Sequence, residues 1–491
     1  MQQSAQSVRL AKNAHDLGTK PIGRLIAKFA APSIVAMLVM SLYNIVDQLF
    51  IGRYVGYLGN AATNIVFPVN VLTIAVSMLI GEGATAMYSI RLGEGKNELA
   101  RKTVGNAIVL LSCIGVSFAT VCLLFLQPLL GFFGATPAIM PYAVDYAAPI
   151  AWGIPFVVVG PGMNALIRAS GSPGTAMKAM ASGAILNTLL DPLFIITFGM
   201  GVKGAAIATA ISQVASFCIT AAFAIRGNRF GLRREHFRLD ASVVKRILAC
   251  GLSPSASQLA IMVVIVTVNQ TLGHYGAASK YGAEIPLAAH GVTMKVNQIL
   301  FSFLLGICMG AQPIIGFNYG AGDYGRVRKT FLLSAMLAIG MGMAAFLVFF
   351  FSPQPLINLF GQESPLYNEF ARRCFREFLF CTALNGFTLL SGTFFQSMAR
   401  VGKAAFVQLS RQVLFMVPAV HILSRLYGID GVLLAGPITD SLSFILAFSL
   451  VCLEFKRLKA RDPARQKASD ADDANDNDEV RESAQASARL A

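Results

Sequence analysis

Twelve stretches of about 20 predominantly apolar residues run through this 491-residue chain, centred near residues 39, 76, 116, 155, 187, 214, 261, 301, 340, 385, 415 and 442. Each is long enough to cross a bilayer as a helix, and a backbone in hydrocarbon must satisfy its own polar groups. The fold class that follows is an all-α polytopic membrane protein with twelve transmembrane helices. The composition agrees: 55% hydrophobic and only 13% charged residues, with a mean hydropathy of +0.61, lie outside the range of soluble domains. The first 20 residues carry no apolar core followed by a small-residue cleavage site, so the first span is expected to insert uncleaved.

The formal charge of +15 would point to nucleic acid in a soluble chain. Here the cations fall in connectors between apolar runs and alternate sharply from one connector to the next. One set holds Arg91, Lys96, Arg101 and Lys102; Arg168 and Lys178; the basic stretch from Arg226 to Arg246; Arg326, Arg328 and Lys329; and Arg400, Lys403 and Arg411. The intervening connectors have Arg53, Lys203, Lys280 and Arg425 as their main cations. The positive-inside rule puts the basic set and both termini in the cytoplasm and excludes nucleic acid as the partner. The eight cysteines show no metal-ligand spacing and read as small buried hydrophobes, so no metal site is expected. After Phe455 a basic patch (Lys456, Arg457, Lys459, Arg461) leads into an acidic, polar tail, expected to be disordered.

The chain repeats itself. Pro32 matches Pro254 and Asp47-Gln48 matches Asn269-Gln270 at one offset. After a small insertion Gly83-Ala84 matches Gly310-Ala311, Gly93-Glu94-Gly95 matches Gly320-Ala321-Gly322, and Arg101-Lys102-Thr103 matches Arg328-Lys329-Thr330. Gly174 with Gly402 and Gly204 with Gly431 continue the series. Two six-helix bundles of the same orientation follow, related by a pseudo-two-fold axis along the membrane normal, with the substrate path between them. The expected organisation is a disordered cytoplasmic N-terminus (1–20), an N-lobe (21–227), a cytoplasmic inter-lobe linker (228–246), a C-lobe (247–455) and a disordered cytoplasmic tail (456–491).

The halves differ in their ionisable residues. Asp47 faces Asn269 in the repeat, and Asp191 faces Val417, so an acidic pair belongs to the N-lobe alone. An ionised Asp at the bilayer centre costs roughly 2.5–3.5 kcal/mol and needs a proton, a partner or water. At ~1.5 Å per residue, Asp47, Asp191 and Thr209 lie about 9 to 12 Å from their outer loops, on the first, fifth and sixth spans. Asn187 sits one turn deeper than Asp191. Two carboxylates in a low-dielectric lobe cannot both stay charged, and they are expected to share a proton or hold a coupling cation. Pro32, upstream of Asp47 on the first span, is the candidate hinge. In the second half, Lys295 lies deep in its span and calls for a counter-charge from Glu377 or Asp440. For Lys295 a structural ion pair and a functional site weigh equally, while His290 alone reads more often as a packed core residue. Glu82 is expected to face the vestibule.

These blocks together resemble a known family. Tyr43-Asn-Ile-Val-Asp47-Gln-Leu-Phe-Ile-Gly52, Asn187-x3-Asp191-Pro-Leu-Phe, Gly201-Val-Lys-Gly204-Ala-Ala-x-Ala-Thr209 and Gly306-x3-Gly310-Ala-Gln-Pro-Ile-Ile-Gly316-Phe-Asn-Tyr-Gly-Ala-Gly322 are similar to the MATE (multidrug and toxic compound extrusion) transporters. The last block, with Ala288-Ala-His-Gly before it, resembles the MepA-like bacterial branch. The resemblance spans about residues 20 to 455. It implies the MATE fold and secondary active antiport, in which small organic cations (drugs and dyes) leave the cell in exchange for H+ or Na+ by alternating access. It implies no cofactor, no enzyme activity, a monomer, and residence in a plasma membrane, as in a bacterial inner membrane. Carried over by residue, Asp47, Asn187, Asp191 and Thr209 match the family's cation or proton site, with Tyr43 and Asn164 as neighbours. Some branches place an acid on the seventh span. This chain has none between Pro254 and Leu272, which leaves Glu377 and Asp440 as the C-lobe candidates, with His290 and Lys295 beside them as substrate-cavity residues. The alternative is a lipid-linked oligosaccharide or lipid flippase of the same superfamily, for which a cavity richer in Arg and Lys is expected. An enzyme is disfavoured, because no HExxH, GxSxG or Walker motif occurs and the five histidines are scattered.

Overall fold

Each apolar run forms one helix. The computed structural model describes residues 15–461 apart from 56, 226–228 and 360–363. The N-lobe comprises α1 (Ile22–Tyr54), α2 (Tyr57–Gly93), α3 (Asn97–Leu124), α4 (Met140–Ala169), α5 (Pro173–Thr197) and α6 (Gly201–Ile225). The C-lobe comprises α7 (Ala241–Ala277), α8 (Glu284–Gly320), α9 (Tyr324–Phe351), α10 (Pro365–Phe378 and Thr382–Ser397, bent by 50°), α11 (Val401–Tyr427) and α12 (Ile429–Ala460). Eleven of these are long and apolar enough to span a bilayer unaided, and the bent pair α10 makes the twelfth. The described residues contain helices and no strand.

The internal repeat is visible in the turns. Gly95 and Gly322, matched in sequence, both take a positive φ (73° and 76°) and turn α2 into α3 and α8 into α9 in the same way. A short helix follows the third span of each lobe, Leu126–Phe132 and Pro353–Asn358. Both α5 and α11 carry a π-helical segment, Leu193–Thr197 and Ser410–Met416.

The lobes meet chiefly along α1, α2, α7 and α8, and their closest glycine approaches lie in the halves of these helices that end at the basic connectors, here called the basic end. Small residues allow it. A Cβ on Gly251 of α7 would lie 1.7 Å from the Leu79 carbonyl of α2, one on Gly310 of α8 would lie 2.6 Å from Ala30 Cα of α1, and one on Gly320 would lie 2.1 Å from the Ile90 carbonyl. Backbones this close leave no room for any other residue. Glycine approaches nearer the opposite, bare end, such as Gly204 against Phe194 and Gly436 against Phe378, stay within one lobe. Accordingly Val243 and Ile247 of α7 and Ile314 and Phe317 of α8 are buried in the same core as the N-lobe helices.

Several expectations need correction. Residues 15–19 are helical, and Leu17 is buried with its carbonyl accepting hydrogen bonds from Asn318 and Arg326, so the N-terminal segment is ordered from 15 onward; residues 1–14 lie outside the described residues. The C-lobe begins at Ala241 rather than 247, because Asp240 caps α7 by accepting from the Ser242 N–H. At the other end α12 runs to Ala460 and includes Lys456, Arg457 and Lys459, so the tail expected from 456 starts later; residues 462–491 lie outside the described residues. Arg168 and Arg411 are not connector residues. Arg168 is buried in the last turn of α4, and Arg411 lies in the π-helical part of α11. Pro32 sits inside α1, whose helix continues past it to Tyr54.

Candidate functional site

The sequence spaces Asn187 and Asp191 four apart, which puts both on one face of α5, and the structure turns that face toward α1 and α6. Asp191 is fully buried and Asp47 of α1 retains 7% exposure. Their carboxyl groups face each other at close range, Asp47 Oδ1 is buried without a hydrogen-bond partner among the described residues, and no basic side chain within the described residues forms an ion pair with either. The Asn187 amide links the rest. In the orientation that satisfies all its neighbours, its nitrogen donates to Asp191 Oδ2 at 3.0 Å and its carbonyl accepts from Thr209 Oγ1 and from the Thr209 N–H, each at 3.2 Å. Thus Asp47, Asn187, Asp191 and Thr209, from three helices, form one connected cluster. Two carboxyls at this range, with only an amide as donor, hold together through a shared proton or a bound cation.

Tyr43 lies one turn before Asp47 on α1 and flanks the pair, and Tyr146 of α4 flanks it from another side. Tyr146 was not singled out in the sequence; a lone phenol in the apolar, proline-rich run of α4 was the available signal. Asn164 lies in one cavity wall with Tyr43, Asn187 and Thr209. It lies farther along α4, its carbonyl accepts from Thr220 Oγ1 at 3.2 Å, and its Nδ2 has no partner among the described residues. It lines a cavity of ≈ 390 Å³ whose wall also includes Met40, Tyr43, Met180, Asn187 and Thr209. That cavity therefore abuts the carboxylate cluster. A neighbouring space of ≈ 480 Å³ is walled by Met78, Met180 and Met309 together with Glu82, Asn164 and Arg168. Flexible, polarizable methionines suit guests of varied shape.

Glu82 does more than face this space. Arg168 Nη2 lies 3.3 Å from Glu82 Oε1, and Gln312 Nε2 of α8 donates to Glu82 Oε2 at 2.7 Å. A buried ion pair of the N-lobe is thereby tied to the C-lobe.

The C-lobe candidates do not assemble into a second acidic site. Glu377 is held by Arg373 at 2.8 Å, and Arg373 also reaches Asp430 at 2.7 Å. Asp440 is buried and paired with Arg411 at 2.9 Å, with Asn385 Nδ2 at 3.5 Å. Neither acid is the partner of Lys295, which is exposed and forms no ion pair among the described residues. The pairing expected for Lys295 is corrected by nearer cations on neighbouring helices. His290 is buried edge-on against the Phe378 ring, 5.0 Å between centroids.

Comparison with known proteins finds similarity that runs through both lobes. The MatE family model matches residues 32–193 and 257–420, one segment in each lobe. An FAD transporter of Shewanella oneidensis is 26% identical over 450 residues, 89% of this chain and 96% of that protein. The multidrug export protein MepA of Staphylococcus aureus is 23% identical over 440 residues, 89% of this chain and 95% of that protein. Among solved structures, a multidrug resistance MATE family transporter of the MOP superfamily in an outward-facing conformation superposes with a TM-score of 0.84 at 25% identity, covering 91% of this chain and 98% of that one. With both lobes matched by the family model and the whole bundle matched by a solved transporter, the chain belongs to the MatE family of multi-pass membrane transporters.

Proposed function

We propose that the protein is a secondary active exporter in a bacterial plasma membrane, working as a monomer and moving small organic cations out of the cell in exchange for an entering H+ or Na+. The observation that carries this reading is the Asp47–Asp191 pair: two buried carboxyls facing each other at close range, with no counter-cation among the described residues. Such a pair gains a proton or cation in one state and gives it up in another, which is what coupling requires. Positive-inside reasoning makes the basic end cytoplasmic. Close packing of the lobes at that end fits an arrangement open to the outside, and the Gln312–Glu82 hydrogen bond is one of the contacts that must break for the cytoplasmic side to open. Entry of the ion from outside neutralises the pair. The rearranged hydrogen bonds of Asn187 and Thr209 then change how α1, α5 and α6 pack around the adjoining cavity, and the guest is released.

The test is efflux of ethidium from proteoliposomes under an imposed proton gradient and, separately, a sodium gradient, for wild type, Asp47→Asn and Asp191→Asn. Gradient-driven efflux that both substitutions abolish supports the coupling site and identifies the ion. Efflux that survives both removes it. The similarity to an FAD transporter adds a second class of cargo, an anionic one, and the cations of the C-lobe favour considering it.

A further inference from the structure

Arg411 and Asp440 form a charged pair at mid-membrane depth that nothing above uses. Arg411 is ten residues into α11 and Asp440 eleven into α12, about 15 to 17 Å from the helix ends. A guanidinium at that depth is costly unless it is paired and has a task. Its Nε donates to Asp440 Oδ1 at 2.9 Å. Nη1 and Nη2 make no hydrogen bond among the described residues, and the side chain keeps 28% exposure while Asp440 keeps 6%. The buried carboxylate therefore orients the guanidinium by one nitrogen and leaves its terminal fork open.

The internal repeat indicates what that fork faces. The register that matches Gly174 to Gly402 carries Gly183 onto Arg411, and the register that matches Gly204 to Gly431 carries Gln213 onto Asp440. Gly183 and Gln213 both line the N-lobe cavity beside the carboxylate cluster. By the Gly174–Gly402 and Gly204–Gly431 registers, Arg411 and Asp440 are the C-lobe counterparts of two residues of that cavity's wall. Arg411 also lies in the π-helical segment of α11, a distortion that re-aims side chains and recurs at functional sites. Lys295, eleven residues into α8, adds at similar depth a cation that forms no ion pair among the described residues. The two lobes therefore have opposite polarity at this level: two carboxyls without a cation in one, two cations and one carboxylate in the other.

We propose that Arg411, positioned by Asp440, is an oxyanion-binding subsite of the cargo path, taking the phosphate or carboxylate of an amphiphilic guest through its free fork. A planar fork with two parallel donors matches an oxyanion in a way that a lysine does not. This deepens the transport reading by naming one cargo class, and it rests on that reading only for the direction of movement.

The test compares two probes that differ by one phosphate, flavin mononucleotide and riboflavin, by equilibrium binding to the full chain in phosphatidylcholine nanodiscs and by uptake into proteoliposomes. Wild type is expected to bind and move the phosphorylated probe at least tenfold better. In Arg411→Gln/Asp440→Asn, which replaces both charges together, that ratio should fall to about one. Equal affinities in wild type overturn the proposal without any variant, and so does a ratio that survives the double substitution. A preference that disappears when phosphatidylglycerol is added makes a lipid headgroup the anion and overturns the assignment to cargo. The binding arm needs no gradient, so a failed ethidium efflux experiment would remove the antiport reading and leave this result standing.

Discussion

Gln312 of α8 donates its Nε2 to Glu82 Oε2 of α2 at 2.7 Å, across the seam between the lobes and beside the buried Arg168. The bond ties a C-lobe helix to a carboxylate already committed within the N-lobe. A hydrogen bond to a charged group contributes about 1.5–3 kcal/mol, so Gln312→Leu should move the balance between open and closed basic ends roughly tenfold or more toward open. Spin labels at the exposed positions 96 and 402, measured by double electron–electron resonance, should then report a larger population of long distances. An unchanged distribution would mean that the bond does not hold the seam.

Within the carboxylate cluster the hydrogen-bond pattern orders the variants. Asn187 serves both Asp191 and Thr209, whereas the Thr209 hydroxyl serves only Asn187. Asn187→Ala should therefore slow ion-driven efflux more than Thr209→Val, by about tenfold or more for a lost bond to a carboxyl against a few-fold for a neutral one. Initial rates under one imposed gradient give the comparison, and the reverse order would place the working polar group on α6 instead.

How much of this was legible beforehand depends on what each residue costs. Intramembrane acids are expensive enough that Asp47 and Asp191 stand out, and spacing of four places Asn187 on the same face. Connector cations read well in bulk but poorly one by one. Arg168 lies near the end of an apolar run and Arg411 follows the connector cations Arg400 and Lys403, and only the fold reveals that a carboxylate from another helix pairs with each inside the bundle. The partner of Lys295 was misjudged for the same reason: Arg373 is one turn from Glu377, and Arg411 reaches Asp440 first. Tyr146 carries no sequence mark at all, since a phenol is at home in any apolar helix. The glycines of α7 and α8 were visible as a repeat, but their use as the contact surface of the seam requires knowing which helices meet.

That contact surface makes a prediction about packing. A methyl group on Gly251 would meet the Leu79 backbone carbonyl at 1.7 Å, and backbone cannot step aside as a side chain does. Gly251→Ala should therefore push α7 away from α2, at a cost of about 1–3 kcal/mol or more for overpacking. Gly402→Ala, where a Cβ meets nothing within 4 Å, serves as the control. Thermal unfolding in detergent should show a lower midpoint for the first and little change for the second; equal midpoints would show that the seam yields.

Among the contacts that fasten the linker between the lobes to α3 are those of one buried side chain, Asn106, beside Glu98 with His236 and Lys102 with Asp240. Asn106 Nδ2 donates to the His236 and Arg238 carbonyls at 3.1 and 3.0 Å, and its Oδ1 accepts from the Asp240 N–H at 2.8 Å. Asn106→Ala would orphan three backbone groups where a side chain now satisfies them, at about 1–3 kcal/mol for each that stays buried. The linker should then detach, which limited proteolysis between residues 229 and 240 would detect as faster cleavage. Acid should act on the same place. Hydrogen bonds from Lys102 and Ser242 hold the Asp240 carboxyl well below the usual carboxylate range. A depressed value means that this contribution is complete above about pH 4 and is lost as pH falls from there toward the folded-state value. Cleavage should therefore accelerate only in strong acid for wild type, assayed with an acid-active protease. In Asp240→Asn the acid-dependent step should shrink to what Glu98, bonded to His236 of the linker, contributes.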